Sequence, residues 1–390
     1  MTVPLLPYQE RIQAAVAQRR VLVIRGQGSK DFLGPPCADA EWLDTRGLAG
    51  IISHEPSELV LTAYAGTPVA EIEQALASHG QCLPFDAPHY QGQSGTLGGL
   101  VAAGMAGPAR VSAGSVRDHV LGLAMFNGLG QHLRFGGQVM KNVAGYDVSR
   151  LMAGSMGTLG LVTEISLKVL PQPVMDATLM FAMPQPAALA MLQRWAGQPL
   201  PLNASCWVFD ETASAPQGYL FVRLRGAQAA VQSAQPKMLA DVQALGHRGQ
   251  AMNSAEAAHD WRDCANQTLP FFNQAPSPEH ALWRLSLPST APALDGPSSP
   301  LIEWHGALRW FWANAEQAIP LRAQAQRLGG HATLWRVSQA RGLADFEYGF
   351  QSQPSAALQA IWHRLQAQFD PHGVFRTGRL FPHAQAAPAL

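Results

Sequence analysis

Charge is what this chain has least of. Only 14% of its 390 residues are Asp, Glu, Lys or Arg, against roughly a quarter in an ordinary soluble domain. The 27 basic and 27 acidic residues cancel to a net charge of zero. No basic field therefore favours nucleic acid, and no polybasic run favours an anionic membrane surface. A neutral, charge-poor surface associates readily, which suits a chain partly covered by other subunits. Cysteine is equally sparse: Cys37, Cys82, Cys206 and Cys264 are scattered and form no C-x-x-C pair. That excludes a local zinc knuckle or iron–sulfur motif and leaves buried thiols suited to a reducing cytoplasm. Long apolar runs are missing too. The eleven apolar or small residues between Thr96 and Pro108 fall well short of the ~20 that a membrane helix needs. The opening MTVPLLPYQERIQ lacks a charged segment followed by an apolar one, so no secretory signal is expected.

Apolar residues and glycine are plentiful. Hydrophobic residues make up 47% of the chain, enough for a globular protein, and the length suits two domains. Val21 to Ile24 is a β-branched run stopped by Arg25-Gly26-Gln27-Gly28-Ser29-Lys30, which predicts a buried strand entering a tight loop. Leu59 to Ala63 predicts a second strand, and Thr67-Pro68 opens a helix that Gly80 closes. Val120 to Phe126 and Gln131 to Phe135 form a hairpin across Gly128 to Gly130, Asp147 to Met152 a short helix, and Leu161 to Leu170 an alternating strand. Beyond Pro171 the composition shifts towards alanine, glutamine and proline. Strands are expected at 219–224, 281–287, 306–312 and 331–337, and helices at 227–245 and 356–369. Together these predict an antiparallel sheet backed by helices, and Pro288 to Pro300 reads as a loop.

Three glycine loops, at 25–30, 92–107 and 154–160, lie in the first ~170 residues. The nucleotide signatures fail one by one. G-x-G-x-x-G nearly fits at Gly26-Gln27-Gly28, but Asp31 stands where the third glycine belongs. G-x-x-x-x-G-K-[ST] and H-E-x-x-H are absent, and Gly154-Ser155-Met156-Gly157 is not G-x-S-x-G. Two readings stay open on the residues alone. The loops are structural turns, or they are backbone cradles whose N–H groups meet the pyrophosphate of a dinucleotide.

The order of motifs resembles the FAD-binding domain of the vanillyl-alcohol oxidase and p-cresol methylhydroxylase family. It runs from Arg25-Gly-Gln-Gly-Ser29, through the proline-bracketed turn Pro84 to Pro88, to Thr96-Leu-Gly-Gly99. Gly114-Ser-Val-Arg-Asp118, Lys141 to Asp147 and Gly154 to Glu164 follow in order. The second half is similar to one branch, the FAD-binding (E) subunits of bacterial glycolate oxidases, at 282–288, 303–310, 329–336 and 369–379. The resemblance implies an α+β fold. A two-part FAD-binding domain of the p-cresol methylhydroxylase type (1–171, with 351–390 returning to it) would flank an α+β cap domain (172–350). It implies FAD held by Arg25, Gly26, Gln27, Gly28, Ser29, Lys30, Pro84, Ser94, Gly95, Thr96, Gly98, Gly99, Lys141, Tyr146, Gly157, Thr158, Gly160 and Val162. The pyrophosphate loop contains no histidine, so the FAD is expected to be non-covalent.

The function implied is an FAD-dependent oxidoreductase subunit that converts glycolate, a small 2-hydroxy acid, to glyoxylate. Electrons would leave through a larger homologous flavin subunit and an iron–sulfur subunit. The expected location is cytoplasmic, at the inner face of the membrane through those partners. A self-sufficient dehydrogenase of another small hydroxy compound and a largely structural flavin-fold subunit are the alternatives. No metal site is expected, because the H-x-G-D-G-N segment of related D-2-hydroxyacid dehydrogenases is missing, and Arg376-Thr377-Gly378 replaces the usual N-P-G. Candidates for the substrate carboxylate and the base are Arg284, Arg309, Arg336, His305 and His331, since arginine offers a bidentate fork. Each of these arginines flanks a tryptophan in a strand-like run, so stacking on a ring explains it without any ligand.

Overall fold

The computed structural model describes residues 3–37, 40–137, 147–212, 215–348, 350 and 355–380. The chain forms two units, one from 1–106, 114–172 and 353–390, the other from 107–113 and 173–352.

In the first unit, the helix Leu6–Gln18 buries Ile12 and Ala15 and ends where Arg19 turns left-handed (φ 52°). Strand Leu22–Arg25 follows and pairs in parallel with Glu41–Asp44. A five-stranded antiparallel sheet runs in the order Ile51–Glu55, Val60–Tyr64, Leu161–Lys168, Val120–Phe126, His132–Gly136. All of Val60–Tyr64 is buried, and the hydroxyls of Thr62 and Ser166 satisfy each other across it at 2.8 Å. The helix Val69–Ala77 buries Val69, Ile72 and Leu76, the spacing of one helical face.

The glycine stretch contains a helix that its composition hides. Leu97–Ala103 is capped by Thr96, whose hydroxyl accepts from Gly99 N at 3.2 Å, and closed by Gly104 in the left-handed region (φ 64°). Leu97, Leu100 and Val101 are its buried face. Two glycines in seven residues weaken a helix; the cap at each end and that buried face outweigh them.

The C-terminal segment packs into this same unit. Helix Ala356–Phe369 ends at Asp370, whose carboxylate accepts from Val374 N and Phe375 N, each at 2.8 Å. Burial pushes the Asp370 carboxyl above its ordinary value, partly opposed by these two bonds. Leu22 N donates to Val374 O at 2.7 Å, and Gly128 N to Phe369 O at 2.8 Å. Val374 and Phe375 complete a cluster with Ile12, Leu22, Leu43 and Phe126.

The second unit is one eight-stranded antiparallel sheet. Its order is Arg248–Ala251, Met175–Ala182, Gln217–Gly226, Leu202–Asp210, Leu301–Glu303, Leu308–Ala313, Ala281–Ser286, His331–Arg336. Helices Gln185–Ala196 and Gln228–Gln243 cover one apolar cluster and Ala315–Arg327 another. The strand expected from Gly306 begins at Leu308 instead. Trp304, His305 and Gly306 form a tight turn in which all three have positive φ (53°, 54°, 97°). Two consecutive left-handed residues with side chains are costly. Trp304 Nε1 donates to Gly107 O at 3.0 Å and His305 N to Ser205 Oγ at 2.9 Å, which holds the turn in place. Among the described residues no helix is long and apolar enough to cross a membrane.

Phe375 is fully buried. Phe375→Ala should therefore cost the first unit about 3–5 kcal/mol, read as a lower urea midpoint, with the C-terminal segment becoming the preferred site of limited proteolysis.

Candidate cofactor site

A pocket with about 790 Å³ of atom-free space, part of it open to solvent, lies in the first unit. Three backbone segments make it: the loop that ends strand Leu22–Arg25, the helix Leu97–Ala103, and the turn from Ser155 to Val162. Main-chain bonds tie the helix to Ala65 and to the turn that begins at Gly154. Gly98 N reaches Ala65 O at 2.6 Å, Gly154 N reaches Val101 O at 3.0 Å, and Met156 N reaches Ala102 O at 2.8 Å.

Most of the residues expected to hold the cofactor meet here. Arg25, Gly26, Gln27, Gly28, Ser29, Lys30, Thr96, Gly98, Gly99, Gly157, Gly160 and Val162 all line the pocket. Pro84, Ser94, Gly95 and Thr158 are not among its lining residues. Gly95 (φ 68°) supports the wall from behind, since a Cβ there would sit 2.7 Å from Ser29 Oγ and 2.9 Å from Lys30 Nζ. Ser94 accepts from Ala70 N, and Thr158 donates to Ser155 O. Lys141 and Tyr146 lie outside the described residues. Asp118 of the 114–118 motif caps its own turn, accepting from Ser115 N and Ser115 Oγ at 2.8 and 2.9 Å.

The glycines have different jobs. A Cβ on Gly26 would lie 2.5 Å from Thr96 Oγ1, and one on Gly98 would lie 2.8 Å from Ala65 Cβ and 2.9 Å from Ala65 O. Gly26 makes room for the Thr96 side chain, and Gly98 lets the helix backbone meet the Ala65 main chain. A Cβ on Gly99 would meet only Thr96 Oγ1, at 3.2 Å, so its absent side chain leaves the pocket open instead. These walls fit a long cofactor approached closely by main chain.

Charge fits an anion. Arg25 is neutralised by Asp31 at 2.6 Å and stacks 4.7 Å over Trp42. Lys30 touches Ser29 Oγ at 3.2 Å, and burial lowers its pKa to about 8. Arg379, at the end of the C-terminal segment, also lines the pocket, and its buried Nε has no hydrogen-bond partner among the described residues. Neither Lys30 nor Arg379 has an ion pair with a described carboxylate. The sequence reading missed Arg379; the only signal was its place after Gly378 in the F-D-P-x-G segment.

The second unit separates the substrate-side candidates. Arg309 is fully buried and spends its guanidinium on backbone, bonding Gly306 O (3.2 Å), Pro292 O (2.5 Å) and Ala291 O (2.6 Å). Burial lowers its pKa to about 10. Arg336 bonds Phe272 O at 3.1 Å and Gln267 Oε1 at 2.9 Å, which fixes it to the helices beneath the sheet. His305 is buried, lies 3.0 Å from Ser205 Oγ through Nδ1, and is pushed down to about 4 by burial. Arg284 and His331 do come together. The Arg284 guanidinium lies 5.1, 5.3 and 5.9 Å from the rings of Trp304, Trp335 and Trp310. Arg110, 4.5 Å over the same Trp304 ring, joins them from the 107–113 excursion. His331 is held below its ordinary pKa by burial and then by the charges of Arg284 and Arg110. Arg110 was not legible as part of this group, because only the tertiary path of 107–113 brings it here.

Two valine substitutions separate the glycine roles. Gly99→Val should block flavin loading while leaving the melting temperature of the cofactor-free protein within a few degrees. Gly98→Val should lower that temperature markedly, because its Cβ meets the Ala65 main chain. Released flavin and a thermal melt of each variant check both.

A family model described as an FAD binding domain matches residues 8–136. The chain is 44% identical over 372 residues to the glycolate oxidase subunit GlcE of Escherichia coli (strain K12), covering 95% of this chain and 96% of that one. It is 32% identical over 173 residues to the glycolate oxidase subunit GlcD of Bacillus subtilis (strain 168), covering 44% of this chain and 36% of that one. Among solved structures, alkyldihydroxyacetonephosphate synthase superposes with a TM-score of 0.65 at 16% identity, over 94% of this chain and 74% of that one, a likeness of fold. An end-to-end match at this identity, together with a backbone-walled pocket built largely from the matched FAD-binding segment, places the chain in the GlcE family of glycolate oxidase subunits.

Proposed function

We propose that this protein is the FAD-binding subunit of a glycolate-oxidising complex and that its own flavin takes part in converting glycolate to glyoxylate. One observation carries the reading: a pocket walled by glycine backbone, with Lys30 and Arg379 turned to it and no acidic partner described for either. No histidine, cysteine or tyrosine is among the described lining residues, which favours non-covalent FAD. When bound, the flavin supplies an acceptor for the hydride that leaves the α-carbon of a 2-hydroxy acid. Within the second unit, side chains suited to a 2-hydroxy acid gather around Trp304. Arg284 and Arg110 supply the positive charge that a carboxylate needs. His331, kept neutral at pH 7 by its surroundings, is the group able to take the hydroxyl proton.

The chain's four cysteines form no cluster, so an iron–sulfur relay belongs to a partner. The partners are a larger homologous flavin subunit and an iron–sulfur subunit, and the complex sits at the cytoplasmic face of the membrane through them. The first test is the purified chain's visible spectrum, its heat-released flavin and its bleaching by anaerobic glycolate. Yellow protein that bleaches, and an Arg284→Gln variant that stays yellow but bleaches at least tenfold more slowly, are the expected results. Wild-type protein that keeps its FAD oxidised would move the chemistry to a partner, and a colourless one would favour a scaffold.

Lys30 gives the cofactor site a pH dependence whose sign is fixed. Its pKa in the empty pocket is about 8, and the pyrophosphate prefers the protonated amine. Affinity for FAD is therefore full below pH 8 and falls as pH rises through it, by up to about tenfold per unit. Lys30→Met should bind more weakly at neutral pH and lose that slope, as measured by quenching of FAD fluorescence between pH 6 and 10.

A further inference from the structure

The C-terminal segment is more than packing for the first unit. Asp370 caps the turn into Val374 and Phe375, and both side chains lock into the cluster around Leu22 and Phe126. Leu22 N bonds Val374 O, which ties the segment to the strand that leads into the loop of Arg25 to Lys30. Thr377 is buried and Gly378 turns left-handed (φ 70°), and the next side chain, Arg379, enters the pocket. The segment is thus a strap that carries one guanidinium to the pocket wall.

That guanidinium is held at a cost. Its Nε is buried without an acceptor among the described residues, and burial lowers its pKa. Arg25 adds repulsion; Asp31 attracts Arg379 but already pairs with Arg25. Three cations line the pocket: Arg25, Lys30 and Arg379. Asp31 neutralises Arg25. Two positive charges remain, the complement of a pyrophosphate dianion.

We propose that Arg379 grips the pyrophosphate of the bound dinucleotide, so that the C-terminal strap is a built part of the cofactor site. This rests on the reading of the pocket as an FAD cradle and not on glycolate as substrate. A buried donor left unmatched destabilises the empty protein, whereas one matched by a phosphate oxygen stabilises the loaded one. Arg379 therefore acts with opposite sign in the two states, which a merely structural arginine does not.

The test uses the full chain stripped of flavin. Arg379→Met should melt at or above the wild-type temperature when empty. With FAD added it should melt below wild type, and FAD and ADP-ribose should each bind about tenfold to a hundredfold more weakly. Arg379→Lys should recover part of both affinities. ADP-ribose carries the pyrophosphate without the isoalloxazine, so it decides which end of FAD is held. FAD weakened with ADP-ribose unchanged would assign Arg379 to the flavin ring and overturn the proposal. An empty Arg379→Met protein that melts lower than wild type, or does not fold, would make Arg379 a structural strut and overturn it as well. Wild-type protein is titrated alongside. If it binds neither ligand, the cradle reading falls with the proposal; if it binds both but ignores glycolate, only the substrate reading falls.

Discussion

The helix Leu97–Ala103 meets the end of strand Val60–Tyr64 with no side chain between them. Gly98 N bonds Ala65 O at 2.6 Å, Ala65 N bonds Thr163 O at 2.8 Å, and Leu97 N bonds Thr67 O at 2.9 Å. That approach places the helix against the sheet, and the helix's last turn in turn holds the 154–156 turn through Val101 O and Ala102 O. Two of the pocket's three walls, the helix and the 154–156 turn, are therefore joined with the sheet end by main-chain hydrogen bonds. A side chain at Gly98 would separate them; one at Gly99 would leave them together and fill the space they enclose.

Charge is treated in opposite ways in the two units. In the first, Arg25, Lys30 and Arg379 line a pocket, and burial lowers the Lys30 pKa to about 8. In the second, arginines are drawn into aromatic and backbone surroundings. Arg309 clamps the carbonyls of Ala291, Pro292 and Gly306, and the strained turn Trp304–His305 supplies the ring on which Arg110 and Arg284 both stack. Strain of this kind persists only where surrounding bonds over-determine it. Here it sets the indole that gathers both guanidiniums.

Where local pattern and tertiary packing agree, the elements were legible. The strand Val120–Phe126 and the helix Val148–Met152, expected over 120–126 and 147–152, came straight from the apolar run, its glycine turn and local pattern. The helix Leu97–Ala103 was not legible, because glycine and alanine mask the spacing of Leu97, Leu100 and Val101. The late start of Leu308–Ala313 was not legible either, since nothing in Glu-Trp-His-Gly announces two left-handed residues held by Ser205 and Gly107 from distant parts of the chain.

The sequence by itself determined where the pocket wall lacks side chains: three glycine loops in order, with a lysine in the first, because the absence of a side chain is a local property. It also fixed the spacing of the cysteines, which form no C-x-x-C pair and so offer no local iron–sulfur motif. Tertiary structure alone decided the surroundings of the candidate arginines. Arg284, Arg309 and Arg336 look alike in sequence, each beside a tryptophan. They part only when backbone carbonyls surround Arg309, Gln267 and Phe272 engage Arg336, and Arg110 arrives beside Arg284. Arg379 reaches the pocket for the same reason: its environment is built by residues more than three hundred positions away, such as Leu22 and Arg25, and no local pattern encodes a neighbour that distant.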